Sequence, residues 1–264
     1  MPELPEVETI VRYLCPRIRG KLILGLESNT PRLFRDHKNI REVRNKIVGQ
    51  KIKEVSRAGK NILFRLSGGK CLAIHLMMTG SLLLDPPAKN KFTRCLFLLS
   101  GNLLLAFDDI RKFGRIRIID SLEELKGNDA LSLSFKKFKN LIIARKERIK
   151  PLFLNQKIIS GIGNIYSDEI LWHAGIHPFR AASSLQESEI KKLYNSMKKI
   201  LNLAIKKEGS SARDYKKPDG SKGGYYEIRK AYQRTGEECL RDAGIIKRMV
   251  IGGRSAHFCP IHQL

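Results

Sequence analysis

The first six residues, MPELPE, bring together groups that could take part in covalent catalysis. A small second residue permits removal of the initiator methionine, which would expose the secondary amine of Pro2. A secondary amine that attacks an aldehyde-level carbon forms a positively charged iminium, an electron sink for later eliminations. Glu3 and Glu6 could act as acids or orienting groups. The alternative is that these residues only cap a helix, because proline and glutamate are common in first turns.

A positive charge beside that amine would favour its reactive form. If Pro2 lies at a helix start near Lys60, the helix dipole and the like charge both favour the neutral amine. Only the neutral amine has the electron pair needed for attack, so a lysine at this place would support the reaction.

The charge of the chain indicates a polyanionic partner. Its 264 residues contain 50 Lys and Arg against 26 Asp and Glu, a formal net charge of +24. Nucleic acid is the first candidate for the partner. An anionic membrane would also attract this charge, but no run approaches the roughly 18 apolar residues of a spanning helix, and the start is unlike a signal peptide. We therefore expect no membrane partner and a bacterial-type cytoplasmic protein.

Apolar spacing predicts the elements that must position these groups. Steps of three and four between apolar residues predict a first helix over residues 5–19. From residue 50 to 120, short apolar runs alternate with turn signals, which predicts hairpins and an antiparallel sheet. Further helices are predicted over residues 148–158, 164–173 and 187–207. A mobile loop is predicted over residues 209–224, and short strands and turns in the last forty residues.

The five cysteines do not form a recognisable disulfide framework, because their number is odd and they are widely spread. Only the last two, Cys239 and Cys259, suggest chemistry.

Seven collinear motifs resemble those of the formamidopyrimidine-DNA glycosylases. They are MPELPEVET, SRAGKNILF, HLMMTG, DIRKFG, SGIGNIYSDEILW, EGSSARDY and GGRSAHFCP. The resemblance implies an α+β fold with three parts: an N-terminal antiparallel β-sandwich with a leading helix (residues 1–130), a helix-two-turns-helix domain with a lesion loop (131–228) and a C-terminal zinc-finger-like β-hairpin (229–264). It also implies a monomer that acts on damaged double-stranded DNA in the bacterial nucleoid.

The resemblance implies a bifunctional DNA glycosylase and abasic-site lyase of base excision repair. Pro2 would attack the anomeric carbon of the damaged nucleotide and form a Schiff base, while Glu3 would protonate the ring oxygen. Lys60 resembles a residue with a proton-transfer role in β-elimination, and Arg254 one with a role in δ-elimination. Leu4 stands where the endonuclease VIII branch has glycine, which favours oxidised purines, namely 8-oxoguanine opposite cytosine and formamidopyrimidines. The alternatives are an oxidised-pyrimidine glycosylase and a non-catalytic damage-binding protein.

A buried anomeric carbon can be reached only if the nucleotide leaves the duplex and the space behind it is filled. Met78 is suited to filling irregular gaps, and Phe113 to wedging a base step. Arg111 could donate twice to the cytosine left without its partner. Without the resemblance, Met78 and Phe113 would read as core residues.

Further residues stand where the family places contacts to phosphate or to the lesion. Asn164 follows the turn GIG at a predicted helix start, where backbone N–H groups favour anions. Lys150 is the helical lysine that we expect nearest the flipped nucleotide. His75 and Lys146 are the other two residues at positions where the family places such contacts. The loop over residues 210–225 resembles the segment that folds over the lesion base.

The C terminus resembles a zinc finger of the form C-x2-C-x16-C-x2-C with two substitutions. Cys239 and Cys259 occupy the first and third positions, and Asp242 and His262 the second and fourth. Two thiolates, one carboxylate and one imidazole are an acceptable zinc set, although weaker than four thiolates. The alternative is a finger without metal, held by packing alone.

Two other departures from the family pattern concern affinity and not the reaction. Met77 stands where the family usually has glycine, so that this turn could differ and Met77 could compete with Met78. Phe92 and Arg94 stand where the family has a K-H-x-H segment, which removes a DNA-contacting histidine and offers Arg94 instead.

Overall fold

The computed structural model describes residues 1–125, 127–212 and 214–264. Arg213, which belongs to the EGSSARDY motif, lies outside the described residues. Contacts divide the chain into two compact units. The first consists of Met1–Leu125 and Lys207–Tyr226, and the second of Glu227–Leu264 with the described part of Lys126–Lys206. The three domains expected from the sequence stay a prediction.

The first unit is built mainly from strands. Its α-helices are α1 (Leu4–Ile18) and α2 (Ile40–Ile47). Its strands are β1 (Ile23–Ser28), β2 (Ile52–Ala58), β3 (Asn61–Leu66), β4 (Cys71–His75), β5 (Gly80–Leu84), β6 (Thr93–Leu99), β7 (Leu103–Asp109) and β8 (Arg115–Ile119).

These strands form two four-stranded antiparallel sheets, in the orders β1-β6-β7-β5 and β2-β3-β4-β8. Both sheets and α1 contribute to one apolar core, for example through Leu14, Phe64 and Phe107. The structure thus confirms the expected antiparallel β-rich part with a leading helix. The sequence did not predict β1 or α2, because Gly25 interrupts the apolar run of β1 and α2 buries only two side chains.

Helix α1 begins and ends within one residue of the predicted bounds. Pro5 lies in its first turn, where a missing backbone N–H costs nothing. Pro16 lies inside the helix without ending it. The core-facing residues repeat in steps of three and four, as an amphipathic helix requires. They are Val7, Ile10, Leu14 and Ile18, all inaccessible to solvent.

The second unit is helical up to residue 206. Its helices are α3 (Phe135–Ile143), α4 (Ile149–Leu154), α5 (Asn164–Ala174) and α6 (Glu187–Lys206). The short strands β9 (Asn128–Asp129) and β10 (Ile159–Ser160) pair in parallel. The strands β11 (Lys247–Ile251) and β12 (Arg254–Phe258) form an antiparallel hairpin. Among the described residues, no helix is long and apolar enough to cross a membrane.

The structure confirms α5 and α6 but shortens the helix predicted over residues 148–158. Helix α4 ends at Leu154 because Asn155 takes an extended conformation, and its side chain accepts a hydrogen bond from the Lys157 amide at 3.1 Å. Helix α3 was not predicted, since only Phe138 and Ile142 of its nine residues are buried.

A two-glycine turn shapes the C-terminal hairpin. Gly252 and Gly253 have φ angles of +56° and +70°, and they join Ile251 directly to its partner Arg254. Two successive positive φ angles match the right-handed twist of a two-residue hairpin and favour glycine. Arg254 therefore lies, exposed, at the tip of the two-stranded hairpin.

Met77 adopts a backbone conformation that favours glycine. Its φ angle is +54°, in the turn between β4 and β5. A side chain in this left-handed region is strained, because its Cβ crowds the following carbonyl. The turn thus has the conformation that glycine would adopt freely, and methionine adopts it at a cost.

Comparison of Met77→Gly with Met77→Ala tests this strain, since both variants delete the side chain. We expect the glycine variant to be more stable by about 1 kcal/mol, because only alanine retains the clashing Cβ. Chemical denaturation measures the difference. Asn195, exposed in α6, serves as the control: there the alanine variant should be the more stable one, because glycine weakens helices. The same order at both positions would contradict the strain at Met77.

Candidate functional site

The N terminus of the first unit lies among buried carboxylates. Pro2 is buried, and Glu3 and Glu6 are 2% and 1% exposed. Glu3 is the N-cap residue of α1, and its amide donates to Glu6 Oε2 at 2.7 Å, as in a capping box. The structure thus confirms that these glutamates cap the helix. This role does not exclude chemistry, because the same contacts fix the backbone beside Pro2.

The terminal amine of the chain, carried by Met1, has a lowered pKa. Burial is the largest cause, because it penalises the ammonium ion. The carboxylates of Glu3 and Glu6 raise the pKa in opposition, and the nearby Lys60 lowers it. The net effect favours a neutral amine at this end of the chain.

Lys60 is held in the turn between β2 and β3 and is only 4% exposed. Gly59, with a φ angle of +58°, forms the turn. The guanidinium of Arg57 donates to the Gly59 carbonyl at 2.9 Å and to Glu8 of α1 at 3.0 Å. These bonds join the turn to the helix. The charge of Lys60 lowers the pKa of both the terminal amine and His75.

Glu6 also joins the first helix to the segment after α6. Its Oε1 accepts a hydrogen bond from the Ser210 amide at 2.7 Å, and Tyr215 donates to its backbone carbonyl at 3.5 Å. Gly209 has a φ angle of +83°, and a Cβ there would lie 2.9 Å from the Glu6 side chain. A residue larger than glycine would therefore push this segment away from the N terminus. Sequence reasoning missed this link, because nothing in the spacing pairs the two segments.

His75 is a neutral side chain within a basic neighbourhood. Burial lowers its pKa to about 4, with further lowering from Lys60 and Arg115 and, less strongly, from Arg117 and Arg35. The Met77 amide donates to His75 Nδ1 at 3.0 Å. In the neutral ring Nδ1 is therefore the acceptor, so that Nε2 carries the proton and can donate.

Three residues predicted to act on opened DNA lie together in the structure. Arg111 Nη1 is 3.2 Å from the sulfur of Met78, and its guanidinium carbon lies 4.6 Å from the centre of the Phe113 ring. Met78 is 38% exposed, and Arg111 is exposed as well. Met78 is thus not a core residue, Phe113 is half-buried, and the three side chains form one cluster.

In the second unit, Lys150 is engaged internally. Its side chain is fully buried, and its ammonium pairs with Asp168 and donates to the Ser255 carbonyl at 2.7 Å. The other oxygen of Asp168 lies 2.7 Å from His257 Nδ1. Lys150 therefore joins α4, α5 and β12, and contact with a nucleotide stays a prediction. Asp168 lies within the motif SGIGNIYSDEILW, but no pattern in the sequence marks it as the partner of Lys150.

The other predicted contacts of this unit lie at the start of an element or in a loop. Asn164 is the first residue of α5, and its buried side-chain oxygen has no hydrogen-bond partner among the described residues. Lys146 and Arg254 are exposed. This oxygen can accept a hydrogen bond from water or another donor, and the predicted contact of Asn164 with phosphate stays a prediction.

Four side chains near the C terminus could hold a metal ion. One donor atom from each of Cys239, Asp242, Cys259 and His262 lies within 4.8 Å of the others. His262 Nε2 lies 3.1 Å from the Trp172 carbonyl, which can only accept, so this nitrogen carries a proton. Its Nδ1 then faces Asp242 Oδ2 at 2.5 Å, where only a proton or a metal ion removes the repulsion between lone pairs. The donor set therefore fits a cation.

Trp172 supports this group in a second way that sequence reasoning missed. Its indole N–H donates to the sulfur of Cys239 at 3.4 Å, while its carbonyl orients His262. Such outer contacts hold metal ligands in the orientation needed for binding.

The neutral state of His75 makes the stability of the protein sensitive to acid. Its pKa of about 4 lies below the ordinary 6.5, so the unfolded chain takes up the proton first as the pH falls. The contribution is complete above about pH 6.5 and is lost towards pH 4. We expect His75→Gln to flatten this part of the stability curve by at most about 3 kcal/mol.

The measurement is urea denaturation between pH 7 and pH 4.5, together with NMR titration of the imidazole signals. His173→Gln serves as a control, because the pKa of that ring is lowered less than that of His75. A His75 resonance that titrates near pH 6.5 would contradict the burial argument.

Two protein-family models cover most of the chain. The formamidopyrimidine-DNA glycosylase N-terminal domain matches residues 1–116, and the H2TH domain of the same enzymes matches residues 127–216. The formamidopyrimidine-DNA glycosylase of Carboxydothermus hydrogenoformans is 40% identical, with 98% of each chain covered. That of Pelotomaculum thermopropionicum is also 40% identical, covering 100% of this chain and 99% of the relative.

Solved structures agree with the sequence comparisons. A mutant Lactococcus lactis FPG in complex with DNA containing Fapy-dG superimposes with a TM-score of 0.91 at 34% identity, with 99% of each chain covered. The Lactococcus lactis Fpg bound to DNA with an abasic site gives a TM-score of 0.90 over the same coverage and identity. Sequence and fold agree over nearly the whole length, and the chain belongs to the formamidopyrimidine-DNA glycosylase family.

Proposed function

We propose that this chain is a bifunctional DNA glycosylase and abasic-site lyase that removes oxidised purines through a Schiff base on Pro2. The observation that supports this most directly is the buried position of Pro2 next to a terminal amine whose pKa is lowered by desolvation and by the charge of Lys60. Removal of Met1 would place the secondary amine of Pro2 at the same end of α1. A neutral secondary amine there has the electron pair that attack on the sugar carbon requires.

The neighbours of Pro2 are suited to the proton transfers of this reaction. Glu3 would protonate the ring oxygen as the sugar opens, since its carboxyl lies one residue from the nucleophile. Lys60, buried in its turn, would take part in β-elimination, and Arg254 in δ-elimination. The iminium nitrogen would accept the electron pair during elimination, which leaves the strand cut on both sides of the lesion.

The exposed cluster of Met78, Arg111 and Phe113 would occupy the duplex after the nucleotide leaves. Met78 fills the space of the lost base, Phe113 wedges the adjacent step, and Arg111 donates to the acceptor edge of the opposite cytosine. Two donors from Arg111 would favour cytosine over adenine opposite the lesion, since the pairing edge of cytosine has two neighbouring acceptors, N3 and O2, whereas that of adenine has only N1.

Phosphate contacts would come from both units. The Nε2–H of His75 can donate to an anion without bearing a charge. Lys146 is exposed, and Asn164 offers its amide at the N terminus of α5. Lys150 would act through the hairpin that it holds, since its ammonium is engaged. The substrates would be duplexes containing 8-oxoguanine opposite cytosine or formamidopyrimidines, as the Fapy-dG complex of the Lactococcus relative supports.

The metal group near the C terminus would hold one structural zinc ion. Cys239 and Cys259 supply two sulfurs, His262 its Nδ1 and Asp242 an oxygen. A bound zinc ion supplies folding energy and no chemistry to the reaction. It would fix the segments on either side of the β11–β12 hairpin, and with them the position of Arg254.

Borohydride trapping tests the proposed nucleophile. On a duplex with 8-oxoguanine opposite cytosine, the wild-type protein should give a covalent adduct at its N-terminal peptide, together with strand cut by β- and δ-elimination. Pro2→Gly should lose most of the adduct, because a primary amine has replaced the secondary one. Mass spectrometry identifies the adduct and shows whether Met1 has been removed.

Pro5→Ala is the matched control, because it alters a nearby proline, in the first turn of α1, that cannot become the terminal amine, and it should trap like the wild type. No adduct from a protein that lacks Met1 would exclude the lyase and leave the damage-binding alternative. Efficient trapping on oxidised pyrimidines, with little on 8-oxoguanine, would support the pyrimidine-directed alternative instead.

Metal analysis tests the proposed zinc site. We expect about one zinc ion per chain in the purified protein, and little in Cys239→Ser or His262→Ala, because each variant removes a ligand. A chelator should lower the thermal midpoint of the wild type but not that of the metal-free variants. Cys15→Ser, a half-buried thiol in α1, should keep the metal. Metal-free wild-type protein that a chelator leaves unchanged would support a finger held by packing alone.

A further inference from the structure

The carboxylate of Asp109 lies between the two segments that carry the exposed cluster. Asp109 is the last residue of β7 and is inaccessible to solvent. Met78 precedes β5, and Arg111 and Phe113 follow β7. Asp109 pairs with Gly80 across the β5–β7 ladder, so its side chain lies where both segments leave the sheet.

Each oxygen of this carboxylate binds a different part of the cluster. Oδ1 accepts hydrogen bonds from the Thr79 hydroxyl at 2.5 Å and from the Arg111 amide at 3.1 Å. The Arg111 amide also lies 3.1 Å from the Thr79 oxygen, which closes a small ring. Oδ2 accepts from the Gly114 amide at 2.8 Å. One side chain thus joins the Met78 segment to both ends of the Arg111–Phe113 segment.

The backbone of Asp109 is fixed by contacts from a third segment. Its amide donates to the Phe92 carbonyl at 2.9 Å, and the Arg94 guanidinium donates to its carbonyl at 2.7 Å. Arg94, expected to replace a DNA-contacting histidine, therefore holds Asp109 in place. Both the backbone and the carboxylate of Asp109 are held by hydrogen bonds. The Met78 segment and the Arg111–Phe113 segment are therefore attached to the same fixed residue.

Gly114 is adapted to this carboxylate. A Cβ at Gly114 would lie 2.4 Å from the Phe107 ring and 3.2 Å from Asp109 Oδ2. Any larger residue would move the amide away from Asp109. The requirement for glycine one residue after Phe113 thus follows from the Asp109 contact and the packing of Phe107.

We propose that Asp109 is a positioning residue that holds Met78, Arg111 and Phe113 in one register, so that filling the duplex and reading the opposite base occur together. The proposal rests on the function proposed above. A buried ion is a strong acceptor, and hydrogen bonds to it are roughly twice as strong as neutral ones. Without it, the two segments would move independently, and Arg111 would lose its fixed distance to Met78 and to the opposite base.

The carboxylate of Asp109 binds Thr79, Arg111 and Gly114, and its backbone binds Phe92 and Arg94. None of its described hydrogen bonds goes to Pro2, Glu3 or Lys60. Its loss should therefore affect recognition of the opposite base and leave imine formation intact. A substrate without an opposite strand separates these effects, because it has no space to fill and no base to read.

The test compares Asp109→Asn with Thr79→Val. Asparagine keeps one acceptor but cannot accept at both oxygens, and valine removes the hydroxyl that joins the segments. Asp108→Asn is the matched control, because this neighbouring carboxylate binds Asn90 and Thr93 instead. Thr79→Ser keeps the hydroxyl and should restore the wild-type behaviour.

Two quantities are measured for each variant: dissociation constants for duplexes with a tetrahydrofuran abasic analogue opposite cytosine or adenine, and borohydride trapping on a single-stranded abasic oligonucleotide. We expect Asp109→Asn and Thr79→Val to lower the cytosine-to-adenine affinity ratio by about tenfold, the range of a lost bidentate base contact. Single-stranded trapping should stay close to wild type. Both control variants should keep the wild-type ratio.

The proposal would be overturned if folded Asp109→Asn and Thr79→Val kept the wild-type cytosine-to-adenine affinity ratio. It would also be overturned if single-stranded trapping fell by the same factor as that ratio. A wild-type ratio near one would overturn it together with the assigned reading by Arg111. If the wild type forms no adduct, the lyase function fails, while the affinity ratio still decides the role of Asp109. Thermal melting shows which variants fold, and Thr79→Val carries the test if Asp109→Asn does not.

Discussion

The buried carboxylate of Glu6 is the contact on which the proposed active site depends. It accepts the amide of Glu3 on one side and the amide of Ser210, 204 residues further along the chain, on the other. Burying a carboxylate is costly unless donors replace its water, and the start of a helix supplies such donors together with a favourable dipole. Glu6 meets both conditions. One side chain therefore binds both the backbone next to Pro2 and the start of the segment after α6.

A second buried ion organises the other unit. Lys150 can remain charged without solvent only because Asp168 and the Ser255 carbonyl replace its hydration. Asp168 in turn contacts both the ring and the amide of His257. Ser255 directly follows Arg254, so these bonds set where the tip of the hairpin lies. Removal of one partner would leave a buried charge unpaired, a cost of about 3–5 kcal/mol.

Local patterns predicted the elements whose signals are local. Helix α1 has a proline start and a regular apolar stripe, and α6 has the same stripe over twenty residues. The hairpins between β2 and β8 are marked by turn residues. In contrast, β1 pairs with β6 about seventy positions later, and a single sequence contains no signal for such a distant pairing. Helix α4 was overextended because the side chain of Asn155 competes with the helix for the backbone.

The residues of the candidate site also fall into those that local motifs mark and those that only contacts distant in the sequence reveal. Motifs indicated Pro2, Glu3, Met78, Arg111 and Phe113, and the structure brings the last three together. Motifs could not show that Lys150 is buried, because its partner Asp168 lies 18 residues away on another helix. Asp109 and Trp172 stand within two of the motifs, DIRKFG and SGIGNIYSDEILW, but a motif does not show which atoms their side chains bind. Residue types predict chemistry, whereas supporting contacts depend on packing.

Trp172 is the only tryptophan of the chain, and its two polar groups contact two of the four candidate metal ligands. Its ring also meets the His262 ring edge to face, with centres 5.2 Å apart. The tryptophan fluorescence of the protein therefore arises at one place, next to a thiol and an imidazole that both quench emission. Any change in the protonation, oxidation or metal coordination of those two groups therefore changes the tryptophan fluorescence intensity, which can be measured without a label.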